Sequence, residues 1–303
     1  MTILSVNRSK EAGRKFPAER LDIRKDSILN DYNGESLKHI TLLDWSYVDR
    51  FRKLTGGHEF EYGEFGEHIT LEGVDINALK IFDLFKVGDA ILEVMKIGYP
   101  VNGKIAETVS DYLMPRSGIY CRVLKEGTLR KGMQIEYEPK VFKMKVITLS
   151  DRASKGIYQD ISGPAITDTA INYFKKLNWR LETENVIMPD NPFELKETLQ
   201  RFIEEKADII FTTGGTGIGP KDFTMGVVKP ILTKEIPGIM EMIRLKYGSE
   251  KPNALLSAGV AGVVGNTLIY TLPGSVKAVK EYTNEIFKTL QHLIYMLYNI
   301  DVH

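Results

Sequence analysis

The spacing of apolar and polar residues changes near Pro139. Before that point, short apolar runs alternate with glycine-containing turns, a pattern that predicts β-strands. The predicted runs are HITLLD (39–44), HITLEGVDI (68–76), DAILEVMKIG (89–98) and IYCRVLKEGTLRKGMQIEYE (119–138). In the last run, KEGT predicts the turn of a hairpin. One helix, LLDWSYVDRFRKL (42–54), is predicted from its helical spacing of apolar residues. We therefore predict a mostly β domain, with a barrel as the best fit, over residues 1–140.

After residue 140 the predicted strands alternate with helices. The strands are VFKMKVITLS (141–150), RLETENVIMPD (180–190), DIIFTTGG (208–215) and TLIYTLPG (267–274). The helices are ITDTAINYFKKLN (166–178), NPFELKETLQRFIEEKA (191–207), IPGIMEMIRLKYG (236–248) and a long amphipathic segment (275–299). This alternation predicts a doubly wound α/β domain over residues 141–303, with a largely parallel sheet covered on both faces.

Composition narrows the class of protein. A chain of 303 residues predicts about two domains. Forty basic residues balance forty acidic ones, which gives no support for a nucleic-acid or membrane-surface partner. No secretion signal and no spanning apolar run are found, so a cytoplasmic protein is expected. A single cysteine, Cys121, excludes an internal disulfide and is interpreted as a small buried hydrophobe.

Polar and glycine residues follow each of the four predicted strands of the second half. Ligands of open α/β sheets bind beyond the carboxyl ends of the strands. If the four strands are parallel, their loops converge on one edge of the sheet, and that edge is the predicted site. The loops begin with Ser150–Asp151, with Asp190, with Gly214–Gly215 and with Pro273–Gly274–Ser275.

The loop after the third strand, GGTGIGPKD (214–222), is rich in glycine. Glycines leave backbone N–H groups open to an anion, and the hydroxyls of Thr213 and Thr216 add donors. The loop is not a P-loop, because Lys221 is followed by Asp222 rather than by serine or threonine. A plain mobile turn is the structural alternative.

Two aspartates carry the metal hypothesis. Asp222 is interpreted either as the N-cap of the helix that follows or as a ligand of Mg²⁺ beside substrate phosphates. Asp190 has the same two interpretations, and Ser275 is either a helix cap or a phosphate contact. Two carboxylates at neighbouring strand ends favour a site for a metal-bound nucleotide.

The second half resembles the MogA/MoaB-type family, which includes the molybdopterin adenylyltransferases. The similarity covers residues 144–297 and consists of SDRASKGIYQDISGP, MPD, TTGGTG followed by KDFT, PGIMEMIR, ALLSAGVAGVVGNTLI and LPGS, in this order. One departure is DFTMG, where members commonly have DVTP after the glycine loop. The resemblance implies a domain that often forms a homotrimer and that converts ATP and molybdopterin to adenylylated molybdopterin and pyrophosphate.

The resemblance also implies roles for individual residues. Asp190 and Asp222 match the acidic pair linked to Mg²⁺ and catalysis. The implied nucleotide- or pterin-binding positions are Ser150, Asp151, Thr213, Gly214, Gly215, Thr216, Gly217, Ser257, Pro273, Gly274 and Ser275.

The first half resembles the MOSC domain over residues 3–137, through SVNRSKEAGRKFP, LKHITLL, GEFGEHITLEGVDI, FKVGDAILEV and MPRSGIYCRVLKEGTLRKGM. Many members carry a cysteine just after IGxx, where this chain has Val101. Sulfur transfer is therefore not expected here. The resemblance instead implies binding of a pterin or molybdenum compound, or docking of a partner such as another molybdenum cofactor enzyme.

Two alternatives stand beside the adenylyltransferase. A non-catalytic carrier or scaffold would bind the cofactor without consuming ATP. A nucleotide-pyrophosphate hydrolase of the competence-damage-inducible family resembles this fold, but its usual loop is GGLGPT followed by paired aspartates, whereas GGTGIGPKD carries one.

Overall fold

A computed structural model describes residues 1–10, 15–32, 39–54, 59–98 and 118–300. The chain forms two compact units that meet in sequence between Lys140 and Val141. In the described residues, no helix combines the length and the apolarity needed to cross a membrane.

The N-terminal unit is built mainly of strands. The strands are β1 (Thr2–Ser9), β2 (Lys15–Ala18), β3 (Leu21–Ile23), β4 (Ile40–Asp44), β5 (Ile69–Glu72), β6 (Leu84–Val87), β7 (Ala90–Ile97), β8 (Gly118–Lys125), β9 (Gly127–Leu129) and β10 (Glu136–Glu138). In the residues that the structure describes, eight of them form one sheet in the order β10-β6-β7-β8-β4-β5-β1-β2, and β3 pairs with β9 in a second sheet. A helix, α1 (Trp45–Leu54), follows β4 directly.

Backbone hydrogen bonds join β1 to the segment that leads into β10, the strand at one end of the sheet. The N–H of Ile3 donates to the carbonyl of Met133 at 3.0 Å, and the N–H of Ile135 donates to the carbonyl of Met1 at 2.8 Å. Because the segment 132–135 leads into β10, these bonds bring β1 against the far edge of the sheet. The result is the barrel-like closure that the sequence predicts, which leaves fewer unpaired edges.

The interior of this unit is apolar and includes Cys121. The Cys121 side chain is fully buried among residues such as Ile119, Val94 and Leu92, and burial raises the pKa of its thiol. A thiol with a raised pKa is a poor nucleophile, so the interpretation of Cys121 as a buried hydrophobe is confirmed. Val101 lies outside the described residues.

Two local predictions for this half are wrong. The segment 119–138 does not form a hairpin, because β9 pairs with β3 and β10 pairs with β6. Gly127 explains the change of direction: a Cβ there would lie 2.9 Å from the Cβ of Ala90, so only glycine lets this segment lie against β7. The helix begins at Trp45, not at Leu42, because Leu42 and Leu43 pair with β5 as part of β4.

The strands of the C-terminal unit are β11 (Val141–Leu149), β12 (Arg180–Met188), β13 (Ile209–Thr213), β14 (Lys234–Glu235), β15 (Ala261–Val264) and β16 (Thr267–Leu272). They form a six-stranded sheet in the order β12-β11-β13-β16-β15-β14. The first four strands in this order are mutually parallel, β15 pairs antiparallel with β16, and β14 pairs antiparallel with β15. The helices are α2 (Asp151–Ser154), α3 (Ser162–Lys176), α4 (Pro192–Glu204), α5 (Thr224–Val228), α6 (Pro237–Gly248) and α7 (Val276–Leu297), with 3₁₀ turns at Lys229–Ile231 and Pro252–Leu256.

Apolar side chains leave both faces of this sheet. On one face, Ile210 and Ile269 pack in a cluster with Phe202 of α4. Phe211 and Tyr270 stack on each other at a centroid distance of 5.2 Å, and Phe287 of α7 packs against Phe211. Successive side chains of these strands point to opposite faces of the sheet, and both faces are apolar. Both faces therefore have to be covered by helices, and the doubly wound α/β fold is confirmed.

Candidate active site at the carboxyl ends of the parallel strands

Four parallel strands end at the same level of the sheet. Leu149 is paired with Met188, Thr148 with Thr213, and Thr213 with Leu272. The loops that follow β11, β12, β13 and β16 therefore leave one edge together. The parallel arrangement on which the predicted site depends is confirmed.

Asp151 and Asp190 hold each other at this edge. The backbone N–H of Asp190 donates to Oδ1 of Asp151 at 3.1 Å, and the N–H of Asp151 donates to Oδ2 of Asp190 at 3.4 Å. The N–H of Ser150 also donates to the carbonyl of Met188 at 3.0 Å, which extends the pairing of β11 and β12 by one residue. Each carboxylate thus keeps one oxygen on its neighbour's backbone. In the described part of the chain, no hydrogen-bond partner contacts the other oxygen of either carboxylate.

Asp190 does not cap the helix that follows it. The N-cap of α4 is Asn191, whose side-chain oxygen accepts from the N–H groups of Phe193 and Glu194. Asn191 therefore satisfies the donors that a helix start leaves unpaired. The capping interpretation of Asp190 is wrong, and its carboxylate remains exposed beside Asp151.

The first two glycines of the loop after β13 are required by the backbone. Gly214 has φ +107°, and a Cβ there would lie 2.5 Å from the carbonyl oxygen of Leu149. Gly215 has φ +61°, and a Cβ would lie 2.6 Å from Oγ1 of Thr224. A side chain at either position would therefore clash and would also strain the backbone. These glycines let the loop turn directly against the end of β11.

Thr224 closes the loop from the other side. This buried residue donates its hydroxyl to the carbonyl of Gly214 at 2.9 Å, and its N–H donates to the carbonyl of Gly215 at 3.1 Å. Thr213 in turn donates its hydroxyl to the carbonyl of Pro273 at 2.8 Å. The loop is therefore fixed at both ends, which argues against a plain mobile turn.

Asp222 folds back over the glycine loop. Its Oδ2 accepts from the N–H of Gly219 at 2.9 Å, and a Cβ added to Gly217 would lie 2.5 Å from the same oxygen. The N-cap position of α5 belongs to Phe223, and no side chain caps that helix. The capping interpretation of Asp222 is therefore wrong as well. Its exposed carboxylate closes the loop on itself.

The last loop of the site begins at Pro273. Gly274 packs against Gly214, since a Cβ on Gly274 would lie 3.5 Å from the Cα of Gly214. Ser275 is the N-cap of α7, and its side chain accepts from the N–H of Ala278 at 3.3 Å. The capping interpretation of Ser275 is confirmed.

Two residues that the sequence did not single out support these loops from below. Asp160 is buried, and its carboxylate accepts from the hydroxyl of Thr148 at 2.7 Å and from the N–H of Ser162 at 2.9 Å. Ser162 donates its hydroxyl to the carbonyl of Gly274 at 2.8 Å. Asp160 in QDISGP precedes a helix by two residues, and that position is the signal that sequence reasoning could have used.

Ser257 lies near the site because the next residue, Ala258, is bound to the glycine loop. The N–H of Ala258 donates to the carbonyl of Thr216 at 2.8 Å, so the segment before β15 lies beside the glycine loop. Arg244 of α6 donates to the carbonyls of Ser257 and Gly259, each at 3.3 Å, and holds this segment in place. The structure thus brings all four loops and the Ser257 segment to one region of the C-terminal unit.

Comparison with known proteins identifies both units. The C-terminal unit matches the model described as "Probable molybdopterin binding domain" over residues 145–292. The N-terminal unit matches the MOSC domain model over residues 30–136. A molybdopterin adenylyltransferase from Helicobacter pylori (strain J99) is 35% identical over 150 residues, which cover 49% of this chain and 84% of that relative. The chain belongs to the MogA/MoaB-type molybdopterin-binding family.

Two further relatives match this chain over part of their length. A "Molybdenum cofactor biosynthesis bifunctional protein" from Chlorobaculum tepidum is 29% identical over 228 residues, covering 75% of this chain. A gephyrin from Dictyostelium discoideum is 38% identical over 155 residues, covering 49% of this chain. The chain spans 62% of the bifunctional relative and 21% of the gephyrin. The match thus covers only part of each of these two relatives, and the names of the Chlorobaculum tepidum and Helicobacter pylori relatives refer to molybdenum cofactor biosynthesis and to molybdopterin.

The acidic residues of this MogA/MoaB-type site suit a cation that is shared with a substrate. Asp190 is exposed and Asp151 half-buried, and their carboxylate oxygens are the hard donors that Mg²⁺ prefers. Within the described ranges, no three His, Cys, Asp or Glu side chains converge in a metal-binding arrangement. Mg²⁺ is usually held by one or two carboxylates together with substrate phosphates and water, so the donor set fits that mode.

Asp190 and Asp222 lie on different sides of β11, so the prediction that they follow neighbouring strands is wrong. Asp190 follows β12 and Asp222 belongs to the loop after β13, and both strands flank β11. Strand spacing places the ends of β12 and β13 about 10 Å apart. A chain of phosphates can extend over such a distance, and the glycine loop borders it on one side.

Proposed function

We propose that the C-terminal unit transfers an adenylyl group from Mg²⁺-bound ATP to molybdopterin, giving adenylylated molybdopterin and pyrophosphate. The observation that carries the proposal is the meeting of exposed carboxylates and a rigid glycine loop at the in-register ends of four parallel strands. The Helicobacter pylori relative, named molybdopterin adenylyltransferase, supports it.

Adenylyl transfer requires the protein to position the two substrates and does not require a nucleophilic side chain. The terminal phosphate of molybdopterin attacks the α-phosphorus of ATP, a new P–O bond forms, and the bond to the β-phosphate breaks as pyrophosphate leaves. The protein must align the two phosphates and offset the charge on the transferred group. Since both substrates are anionic, repulsion between them has to be overcome when they bind together.

In this proposal each loop has its own task. The N–H groups of Gly215 and Gly217 bind phosphate oxygens, because no Cβ shields them, whereas the N–H of Gly214 already donates to the carbonyl of Leu272 at 3.0 Å. Asp190 and Asp222 would each hold Mg²⁺ together with a substrate phosphate, at separate points about 10 Å apart, and the ion would supply positive charge next to the transferred phosphoryl group. The remaining binding positions are Ser150, Asp151, Ser257, Pro273, Gly274 and Ser275. Thr213, predicted as a further donor, is instead buried and donates its hydroxyl to the carbonyl of Pro273, so it supports the loop.

The N-terminal MOSC unit completes the proposal as a binding module. Buried Cys121 does not support sulfur transfer, since its thiol is fully enclosed and its pKa is raised. We assign this unit to binding of the cofactor or to docking of a partner. A homotrimer is part of the same proposal and is tested by light scattering on the purified chain.

One experiment tests the function directly. The purified full chain is incubated with ATP, Mg²⁺ and molybdopterin, and adenylylated molybdopterin is measured by mass spectrometry alongside released pyrophosphate. The proposal expects both products in equal amounts. A carrier or scaffold would bind the pterin tightly and release no pyrophosphate, and that result would reject the enzyme.

A further inference from the structure

Tyr158 lies at the edge of the candidate site, in the loop between α2 and α3. Its hydroxyl is 2.8 Å from Oγ of Ser150, and its ring lies under the guanidinium of Arg152, whose central carbon is 5.2 Å from the ring centroid. The side chain is nevertheless 45% exposed. The proposed chemistry gives this tyrosine no task.

The ring is held in a fixed position next to the end of β11. Ser150 is the N-cap of α2 and its Oγ accepts from the N–H of Ala153 at 3.2 Å, so the serine is itself tied to the helix start. Ser150 also precedes Asp151, which is bound to Asp190. The position of the Tyr158 ring is thereby linked to that of the two carboxylates.

A fixed and half-exposed aromatic ring is suited to stacking. An aromatic side chain whose orientation is already set loses little conformational entropy when a flat ligand lies on it. Arg152 covers part of the ring by a cation–π contact, and the exposed remainder is flanked in sequence by exposed Ile157. The exposed part of the ring therefore offers a planar, partly apolar surface to a ligand.

We propose that Tyr158 stacks on the nitrogen heterocycle of a substrate bound at these strand ends. The inference rests on the proposed function, in which both substrates carry such a ring, adenine in ATP and the pterin in molybdopterin. An aromatic side chain can stack on either heterocycle, because every base has a π-face. Tyr158 thus acts as a residue that positions one ring while the phosphates meet at the carboxylates.

Direct binding measurements test the stacking without requiring turnover. The full chain, Tyr158→Phe and Tyr158→Leu are titrated by calorimetry with Mg²⁺ and a non-hydrolysable ATP analogue, and separately with molybdopterin. We expect Tyr158→Leu to raise the Kd of one ligand about tenfold, as loss of a stacked ring does, and Tyr158→Phe to stay within about twofold of the wild type. The ligand whose Kd changes identifies the stacked heterocycle.

Two results would overturn the proposal. Unchanged Kd values for both ligands in Tyr158→Leu would exclude stacking. Equal weakening in Tyr158→Phe and Tyr158→Leu would assign the effect to the hydroxyl bond with Ser150 rather than to the ring. Tyr32→Leu serves as the matched control, since Tyr32 is an exposed tyrosine of the N-terminal unit. If the chain binds pterin but releases no pyrophosphate, the adenylyltransferase fails while the stacking result still stands.

Discussion

Asp151 and Asp190 exchange backbone hydrogen bonds, each carboxylate accepting from the other's N–H, at 3.1 and 3.4 Å. The exchange joins the ends of β11 and β12 at the point where the chain leaves the sheet. It directs the second oxygen of each carboxylate away from the backbone contacts. The geometry of Asp190 therefore depends on a neighbour that is itself acidic.

Replacement of Asp151 tests this dependence. Asp151→Ala removes the acceptor of the Asp190 N–H, and we expect kcat for adenylylation to fall about tenfold through lost positioning. Asp151→Asn keeps a side-chain oxygen at that place and should retain more of kcat than the alanine variant. Steady-state pyrophosphate release measures both. Equal rates in the two variants would contradict a positioning role.

The glycine loop gives a second prediction. Gly217→Ala would bring a Cβ to 2.5 Å from Oδ2 of Asp222, so the carboxylate has to move. We expect the KM for ATP to rise several-fold and kcat to fall, because both the loop and Asp222 are displaced. Gly238→Ala is the matched control, since a Cβ at Gly238 meets nothing within 4 Å. A Gly217→Ala enzyme with wild-type kinetics would separate Asp222 from the reaction.

Removal of the Thr224 hydroxyl is predicted to lower the stability of the fold. The bond of this hydroxyl to the carbonyl of Gly214 is buried, and Thr224→Val leaves that carbonyl without this donor. The free energy of unfolding should fall by about 1–2 kcal/mol, the typical effect of losing one buried hydrogen bond. Urea unfolding followed by circular dichroism measures it. Thr224→Ser keeps the hydroxyl and should lose less; an equal loss would point to packing instead.

The N-terminal unit provides a prediction on pH. Burial lowers the pKa of His68 well below its usual value, and its Nδ1 accepts from the N–H of Thr41 at 3.1 Å. Below about pH 6.5 the imidazole of His68 therefore binds a proton in the unfolded chain but not in the folded unit, so the stability falls as the pH drops. We expect His68→Gln to show a smaller fall in Tm between pH 7.5 and 5.5 than the wild type.

Glu67 changes the stability with pH in the opposite direction to His68, and the comparison of the two proteins cancels its contribution. Its burial raises the pKa of the carboxyl, so its contribution to stability is lost as the pH rises through the folded pKa. The residue is present in both proteins, and the difference between the two Tm profiles therefore isolates His68. Identical pH profiles would show that His68 titrates at the same pH in the folded and the unfolded chain, which would contradict the prediction.

Much of the C-terminal fold could be predicted from periodicity. The runs at 141–150, 208–215 and 267–274 are apolar on both faces, which is typical of buried parallel strands, and the structure has strands there. The short antiparallel strands β14 and β15 were not predicted. Lys234–Glu235 is exposed and pairs with only two residues of β15, so it leaves no hydrophobic pattern.

The errors in the N-terminal half and at the site have a common cause. KEGT looks like a hairpin turn, but contact with Ala90 decides where Gly127 goes, and that contact is distant in sequence. Asp190 and Asp222 both precede helices and look like caps. Asn191 takes the first cap, and Asp222 binds the N–H of Gly219. Competition of this kind between neighbouring polar residues is settled by backbone geometry, which local spacing does not encode.

The central claim is that the carboxylates at this edge support adenylyl transfer. Asp222→Asn tests it most directly, because asparagine keeps an oxygen for the N–H of Gly219 and removes only the charge. Pyrophosphate release and molybdopterin binding are measured on the same sample, with Asp168→Asn, an exposed change on α3, as the control. The account predicts that Asp222→Asn loses most turnover and retains pterin binding. An unchanged adenylylation rate in that variant would contradict it.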